Sequence, residues 1–453
     1  MKRIAFVGPY RDVSGYGEAS RGLMQSIDAH SYFSRFHESP GEGNHILFSM
    51  PGKGVSIGPR GRLSTLKGPL RFGAFHSFIK PVQFSPLLCN RSPLIYQYSL
   101  NFNEETDYCD KIPDDIDISF QHVNPSLFNI DQVSFKSKIN IGYCTHEASK
   151  LCAKWVDNCN IYVQHIMVPC VWNKTVFIDS GVTTPISIMP HLFDNQNIAK
   201  RIMHADLGTH KKYTTNPCLD MDVIKNRFCF YNILQLSNKK GVDTLIRAYV
   251  REFKASENVS LVLKYHINGQ PGEDSIAEKY IEDILHSEGV SITSAPKIIL
   301  LGGIAKSSDI DYLHIACDLF VTASRGEGWC IPAYHAALSG TNPIVPYAGG
   351  FLSWATSVAT LLKDLGTVSA NNIMPGNEAY PEGATLWEVD IDELRSAMRS
   401  SFDFADGSKV DLEYRMELSK KSTVALDKFD IRSSEYNLGS EIGKVFHEND
   451  CDN

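Results

Sequence analysis

The sequence predicts an α/β protein built on parallel sheets and laid out as two successive units. Three observations carry this. Short β-branched and aromatic runs alternate with helix-like stretches along most of the chain. Glycine-bearing loops fall where a strand gives way to a helix, as in RIAFVGPYRDVSGYGEAS and DLFVTASRGEGWCIPAY. And 453 residues, 43% hydrophobic and 21% charged, suffice for two or three domains that each bury a core.

The elements follow in order. RIAFV reads as a first strand, followed by a loop carrying Gly8, Gly15 and Gly17 and a helix opening between Glu18 and Ser20. ISFQHV, INIGYC, IYVQHIMVPC and ISIMPHLFD continue as strands, with the helix-like ASKLCAKWVDNC among them. From about Asp194 to Phe228 the chain turns polar with little periodicity, and the interdomain connection is expected there. A second series then begins. FCFYNILQL is a strand, and KKGVDTLIRAYVREF is an amphipathic helix with Val242, Leu245, Ile246 and Val250 on one face. VSLVLKYHI, PKIILLGGI and CDLFVTAS are further strands, and DIDELRSAMRSSFDF is helical. The terminal HENDCDN is expected to fray.

Charge and cysteine usage narrow the function classes. A formal charge of -8 gives no global reason to bind nucleic acid. The 11 cysteines form no CxxC pair, and Cys144, Cys170, Cys229, Cys317 and Cys330 sit in or beside apolar runs, as buried thiols do. No zinc-ligand spacing is present. MKRIAFVGPY is too short in apolar residues for a signal peptide, and no run approaches the ~20 residues of a membrane span. A soluble, cytoplasmic protein is expected. One local feature departs from the global charge: Gly43 to Phe102 carries no Asp or Glu, while Lys53, Arg60, Arg62, Lys67, Arg71, Lys80 and Arg91 are basic and Phe72, Phe75, Phe78 and Phe84 are interleaved among the later ones. An acidic stretch follows at once. The blocks either neutralise each other or leave a basic groove for a polyanionic acceptor such as a nucleic-acid base, with Arg60, Arg62 and Lys67 as candidate contacts.

SRGEGWCIPAYHAALSG holds the main chemical signal. Glu327 lies between Gly326 and Gly328, after a strand and before a helix. Ligands of parallel α/β units bind at such strand ends, where a helix presents unsatisfied N–H groups. The flanking glycines would let the backbone approach a ligand while the carboxylate accepts from hydroxyls; the plainer reading is a solvated turn. Gly15-Tyr16-Gly17 is not the dinucleotide fingerprint, since no third glycine or acidic partner follows.

Taken together, TASRGEGWCIPAYHAALSGTNPIV, LQLSNKKGVDTLIRAYVREF, GYCTHEASKLCAKW, VPCVWNKTVFIDSGVTTPISIMPHLFD and GYGEASRGL resemble segments of the retaining, nucleotide-sugar-dependent glycosyltransferases of GT-B fold, and among these glycosyltransferase family 4. The resemblance implies two Rossmann-like domains facing across a cleft. The acceptor-binding one would span residues 1–200 plus a returning helix at about 430–448; the nucleotide-sugar-binding one would span 220–428. It implies Glu327, His146 and Glu147 around the sugar, with Lys240 as the phosphate-binding lysine. Gly15, Gly17, Ser237, Arg325, Gly326, Gly328, Trp329, Cys330 and His335 would complete the donor site. In that family two glutamates separated by seven residues define the motif; here the second position is His335, and the arginine expected before the phosphate lysine is missing. Arg325, Lys239 or Lys264 are the candidates to replace that cation. Lys240 and backbone N–H groups would stabilise a diphosphate leaving group without metal. No cofactor is implied beyond the nucleotide-sugar substrate. A nucleotide-sugar epimerase of GT-B fold and a non-catalytic nucleotide-sugar-binding module are the alternatives. Donor base, sugar and acceptor (glycan, lipid, protein or nucleic acid) stay open.

Overall fold

A computed structural model describes residues 3–7, 15–34, 45–49, 55–57, 63–65, 95–96, 117–128, 137–205, 224, 226–267, 273–303, 305 and 307–450. The basic candidates Arg60, Arg62 and Lys67 lie outside the described residues.

The first lobe is a seven-stranded parallel sheet. Its strands are β1 (Arg3–Val7), β2 (His45–Ser49), β5 (Ile95–Tyr96), β6 (Ile118–His122), β7 (Ile139–Tyr143), β8 (His165–Val168) and β9 (Ile186–Ile188), with a short hairpin, β3 (Val55–Ile57) and β4 (Leu63–Thr65), set apart. The sheet order is β5-β2-β1-β6-β7-β8-β9, so its direction reverses between β1 and β6. Strands covered on both faces need not alternate, and every residue of β6 is buried, Ser119, Gln121 and His122 included. Helix α1 (Gly15–Ser34) opens above this reversal, three residues earlier than the sequence suggests, so Gly15 and Gly17 belong to its first turn. Helices α2 (Ala153–Tyr162) and α3 (Val171–Asp179) follow β7 and β8.

The polar stretch after Asp194 is only partly a connection. Asp194 caps a helix, α4 (Asn195–Met203), accepting from the Asn197 N–H at 3.3 Å. Ile198, Ala199 and Ile202 are spaced to bury one face against the second lobe. The scattered polar residues hid this narrow apolar stripe.

The second sheet runs β12 (Lys297–Leu301), β11 (Val259–His266), β10 (Phe228–Gln235), β13 (Leu319–Phe320), all parallel. A single bridge from Val321 to Ile344 continues it to β14 (Ile344–Pro346) and β15 (Thr360–Leu362). The order reverses between β10 and β13. CDLFVTAS thus forms a shorter strand than its apolar run predicts, because its end bends into the glycine loop. Helices α5 (Val242–Glu252), α6 (Glu273–Ser287), α7 (Ser307–Ala316), α8 (Ile331–Leu338), α9 (Phe351–Trp354), α10 (Ala370–Ile373), α11 (Ile391–Phe404) and α12 (Leu412–Ala425) surround it. An antiparallel pair, β16 (Leu365–Ser369) and β17 (Thr385–Val389), meets the first lobe where Thr385 and Ser149 are hydrogen-bonded.

The chain crosses between lobes along two adjacent strings. Phe193 exchanges backbone bonds with Phe429 and Ile431, each at 2.9 Å. Arg432 ties the pair, donating to Asp194 at 2.7 Å and Asp430 at 2.8 Å. Beyond this crossing α13 (Leu438–Asp450) returns to the first sheet, where Leu438, Ile442, Val445 and Phe446 share a core with Leu23, Ile118 and Phe120. The helix includes His447 to Asp450, so most of the expected frayed end is ordered by this docking. No described helix is long and apolar enough to cross a membrane.

Candidate active site

Both sheet reversals open onto one place. At the end of β10 the chain makes a 3₁₀ turn over Asn238–Lys240 and enters α5 through Gly241 at φ +60°. A Cβ at Gly241 would lie 1.9 Å from the Ala323 carbonyl, so only glycine lets this turn pack on the end of β13. The packing sets Lys240 beside the Ser324–Gly328 loop. Lys240 Nζ donates to Glu327 Oε1 at 2.5 Å, and the Ser324 hydroxyl donates to the same oxygen at 2.9 Å. Glu327 is buried and not solvated; the plain-turn reading fails.

Across the seam stands the end of β7. Glu147 pairs with Lys239 and accepts a longer bond, 3.5 Å, from the Tyr380 hydroxyl. Burial pushes the Glu147 carboxyl up, but Lys239, His146 and Lys240 outweigh it and hold the group down at about 2. Burial likewise disfavours the Lys239 charge, and Glu147 and Glu327 together raise its pKa despite that. Four alternating charges therefore stabilise one another at the meeting of the lobes.

His146 is fully buried, between Trp155 at 5.5 Å and Tyr380 at 5.8 Å, measured between ring centres. Its Nε2 lies 3.0 Å from the Lys150 carbonyl, so Nε2 carries the proton and Nδ1 is left as an acceptor without a partner. Burial keeps the ring neutral by lowering its pKa.

The glycines around Glu327 serve the seam. A Cβ on Gly326 would come within 2.9 Å of the Glu147 carbonyl, and one on Gly328 within 2.9 Å of Thr145 Cβ. What approaches the backbone here is the facing lobe, not only a ligand.

Arg325 has a different task from the one expected of it. Its guanidinium donates to Asp243 at 2.7 and 2.9 Å, to Glu388 at 2.5 and 3.0 Å, to the Thr244 hydroxyl at 2.9 Å and to the Asn238 carbonyl at 2.6 Å. With every N–H engaged, it pins the loop to α5 and β17. Lys264 is similarly committed, to the carbonyls of Tyr265 and Gly303. His335 lies buried on α8 with Nε2 3.2 Å from Glu18 Oε1 on α1, off the line a hydrogen bond needs. Burial lowers its pKa, so that contact is not an ion pair at neutral pH.

Cys330 sits at the start of α8 with φ +63°, a left-handed conformation shared by only one other non-glycine among the described residues. Burial and Glu327 push its thiol pKa up, so it stays protonated. Gly15 is exposed, and a Cβ there would meet Ile331 at 3.5 Å, so the first turns of α1 and α8 adjoin. Ser237 is half-buried at the start of the 3₁₀ turn, and Trp329 is buried against His191 and Phe429. Among the described residues no three His, Cys, Asp or Glu side chains gather as metal ligands.

The sequence reading missed Tyr380, which no local signal announces, and the pairing of Lys239, for which the doubled lysine was the available hint. It also missed Asp243 and Glu388, whose partner Arg325 lies 82 and 63 positions away.

No protein-family model and no curated protein matches the chain. Solved structures do. Anabaena HepE in complex with UDP-glucose is similar with TM-score 0.56 and 14% identity, over 99% of this chain and 100% of that one. The E. coli trehalose-6-phosphate structure bound with UDP-2-fluoro glucose gives TM-score 0.53 and 11% identity, over 98% and 99%. A UDP-forming trehalose-phosphate synthase from Burkholderia xenovorans, in complex with glucose-6-phosphate, gives 0.51 and 11%, over 74% and 75%. At these identities the likeness establishes the fold: two Rossmann-like domains facing across a cleft, the GT-B architecture.

Proposed function

We propose that the chain transfers a sugar from a nucleotide-sugar to an acceptor with retention of anomeric configuration, in the manner of glycosyltransferase family 4. The observation that carries this reading is the Lys240–Glu327 pair at the reversal of the second sheet, faced by His146 and Glu147 from the first. In this structure Lys240 and Glu327 neutralise each other. A nucleotide-sugar would divide them, its diphosphate taking the ammonium and its sugar hydroxyls the carboxylate. As the glycosidic bond breaks, negative charge grows on the diphosphate; Lys240 and the first-turn N–H groups of α8 are fixed to meet it. His146 offers its Nδ1 lone pair to a sugar hydroxyl, and Glu147, held ionised, keeps Lys239 in place. Gly15, Gly17, Ser237, Gly326, Gly328, Cys330 and His335 line or shape the donor side in this reading; Arg325 acts by positioning. Residues 1–200 with the helix near 430–448 form the acceptor lobe, and 220–428 the donor lobe. No metal is needed by this scheme.

The binding of UDP-glucose and a fluoro analogue by the two similar structures above supports a UDP-sugar as donor. The test is a thermal shift with UDP-glucose followed by UDP release and carbon NMR of the product. At one hundred times its dissociation constant the donor should stabilise the chain by ~2.7 kcal/mol. Glu327→Gln should lose turnover by a large factor while UDP still binds. Binding without turnover would mark a binding module, and an isomerised nucleotide-sugar an epimerase; either sinks the transfer reading.

A further inference from the structure

Residues 365–389 leave the second lobe as a strap. Strands β16 and β17 form a two-stranded sheet of their own, apart from the β12-β11-β10-β13 sheet. The strap's Ala370, Tyr380, Ala384 and Leu386 are buried in one apolar cluster with Ala148 of the first lobe. It is chained to one lobe and packed on the other.

Three consecutive residues of β17 touch both halves of the site. The Thr385 carbonyl accepts from the Ser149 N–H, and the Thr385 N–H and hydroxyl donate to Ser149 Oγ, each at 2.9 Å. Leu386 lies against Gly326, where a Cβ would come within 2.9 Å of the leucine Cδ2. Trp387 donates its backbone N–H to the Arg325 carbonyl at 3.1 Å and its indole N–H to the Ser324 carbonyl. Its ring also meets Trp172 of the first lobe at 6.0 Å. An extended strand rises about 3.3 Å per residue, so the contacts at Thr385 and Trp387 are held about 7 Å apart along a stiff backbone. Ser149 is two residues from Glu147, and Arg325 is two from Glu327.

Tyr380 carries the strap to the reacting groups. It is buried, with its ring centre 5.8 Å from His146 and its hydroxyl 3.5 Å from Glu147 Oε2. His146 thus has one aromatic neighbour from its own lobe, Trp155, and one from the strap. The Lys239–Glu147 ion pair crosses the seam too. Attraction between charges falls off gradually with distance and fixes position loosely, whereas hydrogen bonds and ring contacts are short-ranged. Position is set by the strap.

We propose that the strap is a positioning element and Tyr380 its positioning residue: seated on Ala148 and Ser149, it sets His146 and Glu147 against the Ser324–Gly328 loop. For turnover this rests on the transfer reading; the seating itself does not. Lys240 and Glu327 both belong to the second lobe, so the strap bears on turnover and not on the hold on UDP. A misplacement of about 1 Å can cost about a hundredfold in rate.

Amide hydrogen exchange on the full chain, calorimetry with UDP and turnover of UDP-glucose test this together. The Ser149 N–H reports the seating directly, because its acceptor is Thr385. In Tyr380→Ala it should exchange at least fivefold faster, while the β7 amides of Ile139–Tyr143 keep their rates. UDP affinity and the donor KM should stay within twofold, and kcat should fall at least tenfold. Tyr380→Phe, which keeps the ring, should recover kcat to within threefold of the parent chain. A melting curve checks that Tyr380→Ala is folded; if it is not, Tyr380→Leu is read against the same thresholds. Unchanged exchange at Ser149, a loss of UDP affinity as large as the loss of kcat, or a Tyr380→Phe variant as slow as Tyr380→Ala would each overturn the proposal. If the parent chain itself turns over no UDP-glucose, the transfer reading fails on its own, and exchange at Ser149 decides whether Tyr380 seats the strap.

Discussion

Removing the positive charge at Lys240 would leave Glu327 with Ser324 as its donor and no cation to face a diphosphate. A charge-assisted contact of this kind is worth roughly 1.5–3 kcal/mol, so Lys240→Ala should weaken UDP binding about tenfold to a hundredfold, as calorimetry would read. Unchanged UDP affinity would remove Lys240 from the site. Cys330 poses a different residue-scale question, because a left-handed backbone costs a side chain roughly 1–2 kcal/mol that glycine avoids. Glycine returns part of that gain through the greater entropy it loses on folding. Cys330→Gly should therefore shift the melting temperature little, whereas Cys330→Val, β-branched at φ +63°, should lower it clearly. Equal melting temperatures for the two variants would show that the loop relaxes.

At the scale of elements, the Gly326–Gly328 loop and the Thr145–Glu147 segment form a contact with no room for a methyl group. Gly328→Ala places its Cβ 2.9 Å from Thr145 Cβ, where neither side is a flexible chain end. The loop must shift, carrying Glu327 with it, so turnover should fall more than stability does. A variant with full turnover would mean that the lobes adjust freely. This contact also explains what a reader of the sequence can and cannot see. The grammar of strand, loop and helix was legible because central strands such as β6, β10 and β11 are covered on both faces and β10 and β11 read as apolar runs, as FCFYNILQL does. Lys240 and Glu327 were legible because each lies just beyond such a run. The occupation of Arg325 by Asp243 and Glu388 was not, since it depends on where α5 and β17 are set beside the loop. The helix at Asn195–Met203 was missed because its apolar face is only three residues wide, Ile198, Ala199 and Ile202.

For the molecule as a whole, the seam is lined with histidines that burial keeps neutral. His122, His146, His191, His314 and His335 all have lowered pKa values, His191 down to about 3. In the unfolded chain they titrate near 6.5, so below that pH the unfolded state binds more protons than the folded one. Stability is unaffected above 6.5 and falls as acid is added, by up to about 1.4 kcal/mol per pH unit for each such histidine. Melting temperature should drop steeply between pH 6.5 and 5, and a flat profile there would contradict the burial of these rings. A last consequence lies in time, and it comes from α13. The ribosome releases the strands of the first sheet early, but Leu438, Ile442, Val445 and Phe446, which cover Leu23, Ile118 and Phe120, emerge only after the whole second lobe. The lobe that is begun first is completed last, so during synthesis its apolar face stays bare for the length of the second lobe's translation, a natural substrate for a holding chaperone.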